Sequence, residues 1–585
     1  MLISHRLIAV LFVAMLSATA AANERYRIVL RDGSDVGERN LPRWNFGHER
    51  PHMGGKSLFD PANPARLLCD TQAKVNRRGP YVLMAGGDML CGKIKKYRPS
   101  SSLTGAPAAL IVALDGVLRS RDNNRVRVRA DRVVGVVQRA GISIDQRQAT
   151  ARLKNGRTLT ARSARWTPTG VALLTREGPV TVPFDDLLDL YVPYRNQAAL
   201  AEEHRDYPSS NPQDLIARAV MSDGSVLTYR REHLFGAYRE PLGEQGRHVH
   251  LVQPNWALEA IYMPVDKFVS RGFRQTHEVP LSSLAAETLS TRKLSKSDRV
   301  NRFRWQRNLS VHGEALGSEQ LIADVGIGTH APVRVAFDLP DSARSFATWI
   351  DLNQSARQGG CVRCKIVRDN INGASVWASE IMRGADPPKR VGPVGVSGAK
   401  RLVLVSETAH QGRPQGADPL DIRDDVDWLY PMVQLEPKAK DPLTVLETFL
   451  PGWNRWKSNG DPRRFKLAKP RWSHAHERWF PVLRIEDDSG VTLTRTVKVS
   501  TERDLVFFEL AAEKSLPTGS IELRIGDVKL TARRSERNRK QVFLWDLTSL
   551  RGTQVTLSLH LAGVDKTGGL EWLGLGIGST SQLLP

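Results

Sequence analysis

The sequence has few cysteines and lacks the short motifs that mark common catalytic chemistries. Four cysteines in 585 residues allow two disulfides at most. The chain has no Gly-x-Ser-x-Gly elbow, phosphate-binding loop or dinucleotide fingerprint. It also has no zinc-finger, helix-turn-helix or RNA-recognition motif. The usual signatures of serine hydrolases, nucleotide-dependent enzymes and sequence-specific nucleic-acid-binding proteins are therefore missing.

Long apolar runs are also missing after the first residues. Residues 7–16 are apolar, follow His5 and Arg6, and precede small residues up to Ala22. This order predicts a cleavable signal peptide at 1–22, because the run is shorter than the roughly 20 residues that span a bilayer. We expect a mature protein that is secreted, periplasmic or on the cell surface, with no transmembrane segment.

The excess of basic residues is large. Lysine and arginine number 84 against 62 acidic residues, a formal net charge of +22. Such a chain attracts acidic polymers, anionic surfaces or sulfated glycans. The bases are scattered, as at Arg125, Arg127 and Arg129, so we expect no specific nucleic-acid partner.

The region 23–300 repeats one plan. After a strand, Gly turn and strand at 26–37, similar units follow at about 81–138, 151–192 and 216–269. Each has a hairpin with Gly at its turn, a third strand and a last strand beside Asp131, Asp185 or Asp266, where an aspartate is typical of a turn cap. The recurrence predicts stacked, small β-barrel-like units, which would serve as an adhesive platform or a β-rich spacer. A short connecting helix is predicted at 196–205.

The segment 305–435 has the clearest pattern. Short alternating runs, bounded by Gly, Pro and Asp, predict an antiparallel β-sandwich. Its markers are Gly-Ile-Gly-Thr-His-Ala at 326–331, a strand at 346–351, a strand at 360–366 with Trp377 downstream, and Asp-Asp-Val-Asp-Trp at 424–428.

The order of these markers resembles the NPCBM family, carbohydrate-binding modules found beside some glycoside hydrolases and galactosidases. The resemblance covers about a quarter of the chain. It implies a sugar-binding β-sandwich, to which we assign residues 301–437. Asp425 stands where the family usually has His, and Asn353 stands where an acidic residue is common.

The last region, 438–585, predicts a second sandwich. Trp545 and the turn after it, followed by an alternating strand and Glu571-Trp572, resemble the penultimate hairpin of galactose-binding-like jelly rolls. The predicted fold class is therefore all-β: a signal peptide, repeated small barrels and two tandem jelly-roll sandwiches.

Several residues of the NPCBM-like segment are candidate ligands of sugar. Trp349 and Trp377 could form an aromatic platform, with His330, Arg334 and Asp351 as polar partners. The two glycines of the 326–331 turn would let a ligand approach the backbone closely. The alternative for Trp377 is a place in the core, which is also our interpretation of Trp428.

Metal ligands and disulfides remain open from the sequence. Asp351, Asp424 and Asp427 could hold a structural Ca²⁺, or simply cap turns. His474 and His476, with Glu477 nearby, could also bind a metal, but a third ligand at a recognisable spacing is absent. Domain membership pairs Cys69 with Cys91, and Cys361 with Cys364, the alternative for the second pair being two free thiols.

No carboxylate pair is suitably placed for catalysis. The aspartates at 424, 425 and 427 share one short stretch, whereas glycoside hydrolysis needs two carboxylates on either side of the sugar. We therefore expect a secreted, non-catalytic carbohydrate-binding protein that needs no cofactor and prefers acidic or sulfated glycans. The alternatives are a surface protein that binds other proteins, or an accessory part of a glycoside hydrolase system, the one enzymatic link we consider.

Overall fold

The computed structural model describes the residue ranges that are given at the end of this paragraph. Their regular structure consists of β-strands and short 3-10 turns, which confirms the predicted all-β class. The described residues are 25–38, 52–53, 56–58, 60, 62–76, 79–100, 107–120, 124–139, 149–192, 215–230, 235–239, 248–289, 305–314, 316–318, 321–370, 373, 375–409, 423–436, 456–458, 465–473, 478–485, 491–501, 503–511, 521–537, 540–561 and 570–578.

Several predictions lie outside the described residues. They are the signal peptide at 1–22, the connecting helix at 196–205, and the residues His474, His476 and Glu477. Within the described ranges, no helix is long and apolar enough to cross a membrane.

Strands β1 to β22 belong to the N-terminal region. They are β1 Tyr26–Leu30, β2 Asp35–Glu38, β3 His52–Met53, β4 Lys56–Ser57, β5 Ala65–Asp70, β6 Tyr81–Met84, β7 Met89–Arg98, β8 Ala109–Leu114, β9 Arg125–Arg129, β10 Val133–Val137, β11 Thr150–Leu153, β12 Thr158–Thr160, β13 Ser163–Thr167, β14 Gly170–Thr175, β15 Gly178–Pro183, β16 Leu187–Tyr191, β17 Leu215–Met221, β18 Val226–Arg230, β19 Phe235–Arg239, β20 His248–Val252, β21 Ile261–Pro264 and β22 Phe268–Gln275.

Strands β23 to β46 follow. They are β23 Glu278–Pro280, β24 Ala286–Thr288, β25 Gln306–Arg307, β26 Leu316–Gly317, β27 Ile322–Ala323, β28 Gly326–His330, β29 Val333–Asp338, β30 Ala343–Leu352, β31 Val362–Arg368, β32 Ser375–Ala378, β33 Lys389–Gly395, β34 Arg401–Thr408, β35 Asp425–Leu435, β36 Lys457–Ser458, β37 Phe465–Ser473, β38 Arg478–Ile485, β39 Val491–Lys498, β40 Leu505–Ala511, β41 Ile521–Ile525, β42 Val528–Leu530, β43 Arg533–Arg537, β44 Lys540–Asp546, β45 Gln554–Leu561 and β46 Leu570–Gly578. The 3-10 turns are Ala130–Arg132, Val265–Lys267, Leu281–Ser283, Gln354–Ala356 and Thr548–Leu550.

The N-terminal strands repeat one pairing scheme four times. The first strand of a copy pairs with the second through a hairpin and with the last on its other side, as β6 does with β7 and β10. The same holds for β1 with β2 and β5, β11 with β12 and β16, and β17 with β18 and β22. The hairpins turn at Gly33, Gly87, Gly156 and Gly224, whose φ angles are 88°, 90°, 83° and 89°. Glycine adopts these left-handed angles without steric cost, which explains the recurring Gly.

The copies join edge to edge in one 14-stranded sheet. Last strands pair with last strands, β10 with β16 and β5 with β22, and β7 meets β18. Pairing the edges between copies satisfies backbone groups that isolated barrels would expose. Two further three-stranded sheets are β13-β14-β15 and β19-β20-β21. In the copy that begins with β6, the corresponding three strands are β7-β8-β9, in which β8 pairs with both β7 and β9.

Two sheets form the sandwich that follows. The front sheet has the order β25-β28-β35-β30-β33, with β23 added to β35, and the back sheet has the order β24-β29-β34-β31-β32. Trp428, Phe346 and Phe337 are buried in the core between them, which confirms Trp428 as a core residue. Residues 326–331 were predicted as a turn, but Gly326–His330 is a fully buried strand of the front sheet.

The N-terminal region packs against the outer face of the front sheet. Val29 and Leu67 share a hydrophobic cluster with Leu429, Tyr430 and Met432. The last region has a separate core between the sheets β36-β39-β45-β41-β42 and β37-β38-β46-β40-β44-β43, with Trp456, Phe508 and Trp545 inside.

Candidate functional site

Polar residues lie in rows across the outer face of the front sheet. Strand β35 alternates, so that Val426 and Trp428 enter the core while Asp425 and Asp427 face outward. His330 of β28 pairs with Asp425, and Asp351 of β30 pairs with Asp427. We call Asp351, Asp425 and Asp427 the carboxylate cluster.

A covering segment, formed by residues 308–314 and 316–318, lies on this face. Its Gly317 amide donates to Asp427 Oδ2 at 2.8 Å. A Cβ added to Gly328 would lie 2.4 Å from the carbonyl oxygen of Leu309, and one on Gly326 would lie 2.7 Å from Leu316 Cδ1. Gly328 thus makes room for the covering segment, and Gly326 makes room for Leu316 and for the Trp428 carbonyl oxygen, which would lie 2.5 Å from such a Cβ. The sequence predicts instead that both glycines admit a ligand.

Asp425 is the hub of a hydrogen-bond network. Its Oδ1 lies 2.8 Å from His330 Nδ1, and its Oδ2 lies 2.8 Å from His312 Nε2 and accepts from Ser355 Oγ at 2.9 Å. Burial alone would raise the pKa of Asp425, but these three hydrogen bonds outweigh it and hold the pKa below its usual range. Asp425 is therefore an ionised anchor for two histidines and a serine.

The neighbouring pair, Asp351 and Asp427, has the opposite electrostatics. Burial, together with the charges of Asp351 and Asp425, raises the pKa of Asp427 to about 7, although Asn353 Nδ2 donates to it at 2.6 Å. Burial raises the pKa of Asp351 to about 6. Two like charges side by side in a buried site resist full ionisation, so the pair holds a proton up to near-neutral pH.

The predicted calcium ligands do not form one site. Asp424 Oδ1 accepts the amide of Cys361 at 2.7 Å, whereas Asp427 Oδ2 accepts from the Gly317 amide and from Asn353. Among the residues that the structure describes, no group of three or more His, Cys, Asp or Glu is arranged to hold a metal ion. These donors do not fit Ca²⁺, which takes six to eight oxygen ligands around one point.

The five predicted sugar residues are spread over both sheets. His330 and Asp351 belong to the buried network, while Arg334 lies on the outer face of the back sheet, 3.6 Å from Glu407. Trp377 packs on the core side opposite Ile366. Trp349 faces the N-terminal region: a Cβ on Gly33 would lie 2.8 Å from its Cζ2. The structure therefore does not bring the five together.

His312 and Ser355 were missed by the sequence reasoning. They lie on connecting segments without a motif, and only the structure places them around Asp425. His312 keeps 35% of its side chain exposed, whereas Asp425 keeps 4%. The exposed rim of the network is thus formed by residues that no pattern indicated.

None of the four cysteines takes part in a disulfide. The predicted pairing of Cys69 with Cys91 is not formed, because β5 and β7 are separated by β22, β17 and β18 in the sheet. Cys361 and Cys364 are also not joined by a disulfide, which was the open alternative for that pair. Cys361 Sγ lies 3.3 Å from the carbonyl oxygen of Ala409, and Cys364 lies in the extended strand that begins at Val362. Burial raises the pKa of Cys69 to about 11 and that of Cys364 to about 12, so both are protonated at neutral pH.

A cleft lies beside the contact of the N-terminal region with the front sheet and is lined by residues of both the N-terminal region and the sandwich. It contains about 990 Å³ of space, part of it continuous with solvent. Arg66 in its wall forms a buried ion pair with Glu278 through Nη2 at 2.7 Å. Burial raises the pKa of Asp324, which faces Arg218, to about 6. The charged walls of the cleft mainly pair with each other across the boundary between the two regions.

A comparison with protein-family models finds a match on the sandwich. A family model described as NPCBM/NEW2 domain matches residues 285–433. Among solved structures, the chain is similar to CBM51 from Clostridium perfringens GH95 in complex with methyl-galactose (24% identity, 27% of this chain and 99% of that chain, TM-score 0.21). It is also similar to the tandem CBM51 modules of Sp3GH98, the family 98 glycoside hydrolase from Streptococcus pneumoniae SP3-BS71 (13% identity, 49% and 99%, TM-score 0.22). No curated protein matches the chain.

The family model begins at residue 285, whereas the sequence analysis placed the start at 301. Strands β23 and β24 explain the earlier start, since they pair with β35 and β29 of the sandwich. The motifs predicted the family correctly: residues 285–433 are an NPCBM/NEW2 domain.

Proposed function

We propose that this protein is an exported, non-catalytic carbohydrate-binding protein, and that its NPCBM/NEW2 domain binds sugar at one end of the sandwich. The observation that carries the proposal is the family match over 285–433. Strands β28 and β30 end at this end of the front sheet, where β35 begins. Ligands of sandwich domains are commonly met by the loops at one end.

The rim of the Asp425 network supplies suitable chemistry. His312 and Ser355 are partly exposed, and both are held by Asp425 at 2.8 and 2.9 Å. Imidazole and hydroxyl groups can both donate to and accept from sugar hydroxyls. Because Asp425 fixes their orientation before a ligand arrives, little side-chain entropy is lost on binding.

The same geometry supports a non-catalytic role. Asp351 and Asp427 lie side by side beneath the covering segment and are both buried. A glycosidase needs its two carboxylates on either side of the scissile bond. No carboxylate pair of that kind is present in the carboxylate cluster.

The remaining parts of the proposal rest on the sequence. The apolar run at 7–16 supports export, and the motifs near Trp545 support a second jelly-roll sandwich at 438–585. The net charge of +22 belongs to the whole chain and supports an acidic or sulfated glycan as one of its partners, without assigning that glycan to this domain. A structural, protein-binding role is the second candidate. It is favoured by the burial of the front sheet against the N-terminal region, where Gly33 meets Trp349. An accessory role in a glycoside hydrolase system would require the same sugar site.

A glycan array probed with the full-length chain tests the proposal. The expected result is binding to a defined set of glycans, which His312→Ala and Ser355→Ala each weaken by about tenfold, a loss of about 1.4 kcal/mol. His277→Ala is the matched control, since His277 is a half-buried histidine at the turn between β22 and β23. Binding to no glycan at low salt, or equal loss in all three variants, would favour the structural role.

A further inference from the structure

The outer face of the sheet β7-β8-β9 carries two lines of basic side chains. Register places Lys93, Lys96 and Arg98 of β7 opposite Ala113, Ile111 and Ala109 of β8. These in turn pair with Arg125, Arg127 and Arg129 of β9. Three successive rows therefore read cation, small or apolar residue, cation. We call these six cations the basic face.

The opposite side of the same strands explains why the cations point outward. Ile94, Leu110, Val112, Val126 and Val128 are buried in the core of the N-terminal region. Alternation along a strand places their neighbours on the other face. Lys96, Arg98, Arg125 and Arg127 are exposed there, while Lys93 and Arg129 are half-buried. Rows are about 6.7 Å apart along the strands, and the two lines of cations are roughly 9.6 Å apart across β8.

Acidic neighbours neutralise only part of this charge. Arg127 Nε lies 2.8 Å from Glu259, Arg129 Nη2 lies 2.9 Å from Asp131, and Lys93 lies 3.8 Å from Asp185. Within the described ranges, no ion pair involves the remaining three cations, Lys96, Arg98 and Arg125. Those three side chains belong to exposed residues, so they are accessible to a partner.

We propose that the basic face is a docking surface for a linear acidic polysaccharide, either sulfated or rich in uronic acid. It lies on the N-terminal region and is separate from the sugar site proposed for the NPCBM/NEW2 domain. Sulfate and carboxylate groups on one chain could contact both lines of cations at once. Guanidinium groups bind such oxyanions through two parallel hydrogen bonds, which adds direction to the charge attraction.

The surface fits a polysaccharide better than single-stranded nucleic acid or a membrane. Its central line, Ala109, Ile111 and Ala113, has no aromatic side chain on which a base could stack, whereas single-stranded nucleic acids are bound through such stacking. It also has no projecting apolar cluster that could enter a membrane. A flat surface with paired lines of charge and a short central line suits an extended polymer of sugar rings.

The equivalent sheet of the next copy gives a natural comparison. On β13-β14-β15 the outward rows are Ser163, Leu174 and Pro179, then Arg165, Ala172 and Thr181, then Thr167, Gly170 and Pro183. That face carries one cation where the basic face carries six. The same backbone plan therefore does not require the charge, which supports a binding role for it.

The test measures binding of full-length protein to a fluorescent heparin oligosaccharide. The variant Lys96→Ala/Arg98→Ala/Arg125→Ala removes three exposed cations of the basic face. The control, Lys154→Ala/Arg157→Ala/Arg176→Ala, removes three exposed cations of the next copy and the same total charge. We expect the first variant to bind at least about tenfold more weakly and to show a shallower dependence of log Kd on log salt, with the control within about twofold of wild type.

Other outcomes would overturn the proposal. An equal loss in both triple variants would mean that total charge, and not this face, attracts the polymer. Loss with His312→Ala alone would place heparin at the NPCBM/NEW2 domain. Tighter binding to duplex DNA or to anionic phosphatidylserine vesicles, with the same dependence on the basic face, would identify the wrong class of partner. Failure to bind heparin at low salt would refute the proposed role of the basic face, but it would not affect the proposal of a sugar site on the NPCBM/NEW2 domain.

Discussion

The outer face of the front sheet and the basic face are both lined with charged residues, but only one of them is covered. Asp425 and Asp427 are buried by the covering segment, and each is tied to named donors. Lys96, Arg98 and Arg125 lie on exposed residues of β7 and β9. Buried charges need dedicated partners and so control stability, whereas exposed charges contribute little to it and are available to ligands. Charge alone therefore does not indicate a binding site; coverage decides its role.

The largest effect on stability should come from a buried ion pair between the N-terminal region and the sandwich. Arg66 donates to both oxygens of Glu278, whose side chain is completely buried. Arg66→Ala would leave Glu278 charged, with only the neutral donors Gln275 and Gln434. We therefore expect a loss of about 3–5 kcal/mol in the free energy of unfolding measured with urea. Lys400→Ala, at the exposed pair with Asp341, is the control and should not shift the transition. A small change for Arg66→Ala would mean that the two regions do not pack as described.

The carboxylate cluster should make stability depend on pH. The pKa of Asp427 is about 7 in the folded chain against an ordinary value of 3.8, so the folded state binds the proton more tightly. Its stabilising contribution is complete below about pH 4 and is lost as pH rises through 7. The lowered pKa of Asp425 has the opposite effect, a loss of stability as pH falls, but only at pH values below the ordinary pKa of 3.8.

Asp427→Asn should remove this part of the pH dependence. The free energy of unfolding of the variant, taken relative to that of wild type, should rise by about 2 kcal/mol from pH 5 to pH 8. Urea unfolding at each pH measures this difference. Asp324, whose pKa is also raised, is unchanged in both proteins and cancels in the difference. Asp338→Asn, at an exposed aspartate of the same domain, should leave the wild-type slope intact. Parallel curves for wild type and Asp427→Asn would contradict the proposed protonation.

A smaller effect on stability is expected at His330, and a smaller one again at Arg334, although the sequence grouped the two residues together. His330 is buried and hydrogen-bonded to Asp425, while Arg334 keeps 31% of its side chain exposed. His330→Ala should lower stability by about 1–3 kcal/mol, because it leaves a buried carboxylate short of a partner. Arg334→Ala should cost less than about 1 kcal/mol. Similar melting temperatures for the two variants would argue against the buried network.

The smallest effect on stability is expected at the basic face. The Lys96→Ala/Arg98→Ala/Arg125→Ala variant removes exposed side chains that contribute about 0–1 kcal/mol even when paired. Relief of repulsion between like charges should offset part of that. Thermal unfolding should therefore match wild type within about 2 °C, while heparin binding falls. A marked loss of stability would show that these side chains are structural.

Local patterns predicted the strands and the family well. The alternation around Val426 and Trp428, and the Gly turns of the N-terminal hairpins, depend on neighbouring residues alone and are therefore visible in the sequence. The order of motifs at 326–331, 346–351 and 424–428 was enough to identify the NPCBM/NEW2 domain. The extra strand pairings of β23 and β24 were not visible, since they involve partners more than 40 residues away.

The site was harder to predict, because it depends on what covers each residue. Gly326 and Gly328 look the same in sequence whether a ligand or Leu309 and Leu316 approach them. Trp349 could have been a sugar platform, but Gly33, far away in the chain, packs against it. His312 and Ser355 have no pattern of their own and acquire a role only through Asp425.

The central claim is that two separate surfaces bind two kinds of carbohydrate, and a crossed calorimetric titration tests it most directly. Full-length wild type, His312→Ala and Lys96→Ala/Arg98→Ala/Arg125→Ala would each be titrated with the strongest uncharged array glycan and with a heparin oligosaccharide. The account predicts that His312→Ala weakens only the uncharged glycan and that the triple variant weakens only heparin, each by about tenfold. If both variants weakened both ligands equally, or if neither variant weakened either, the account would be wrong.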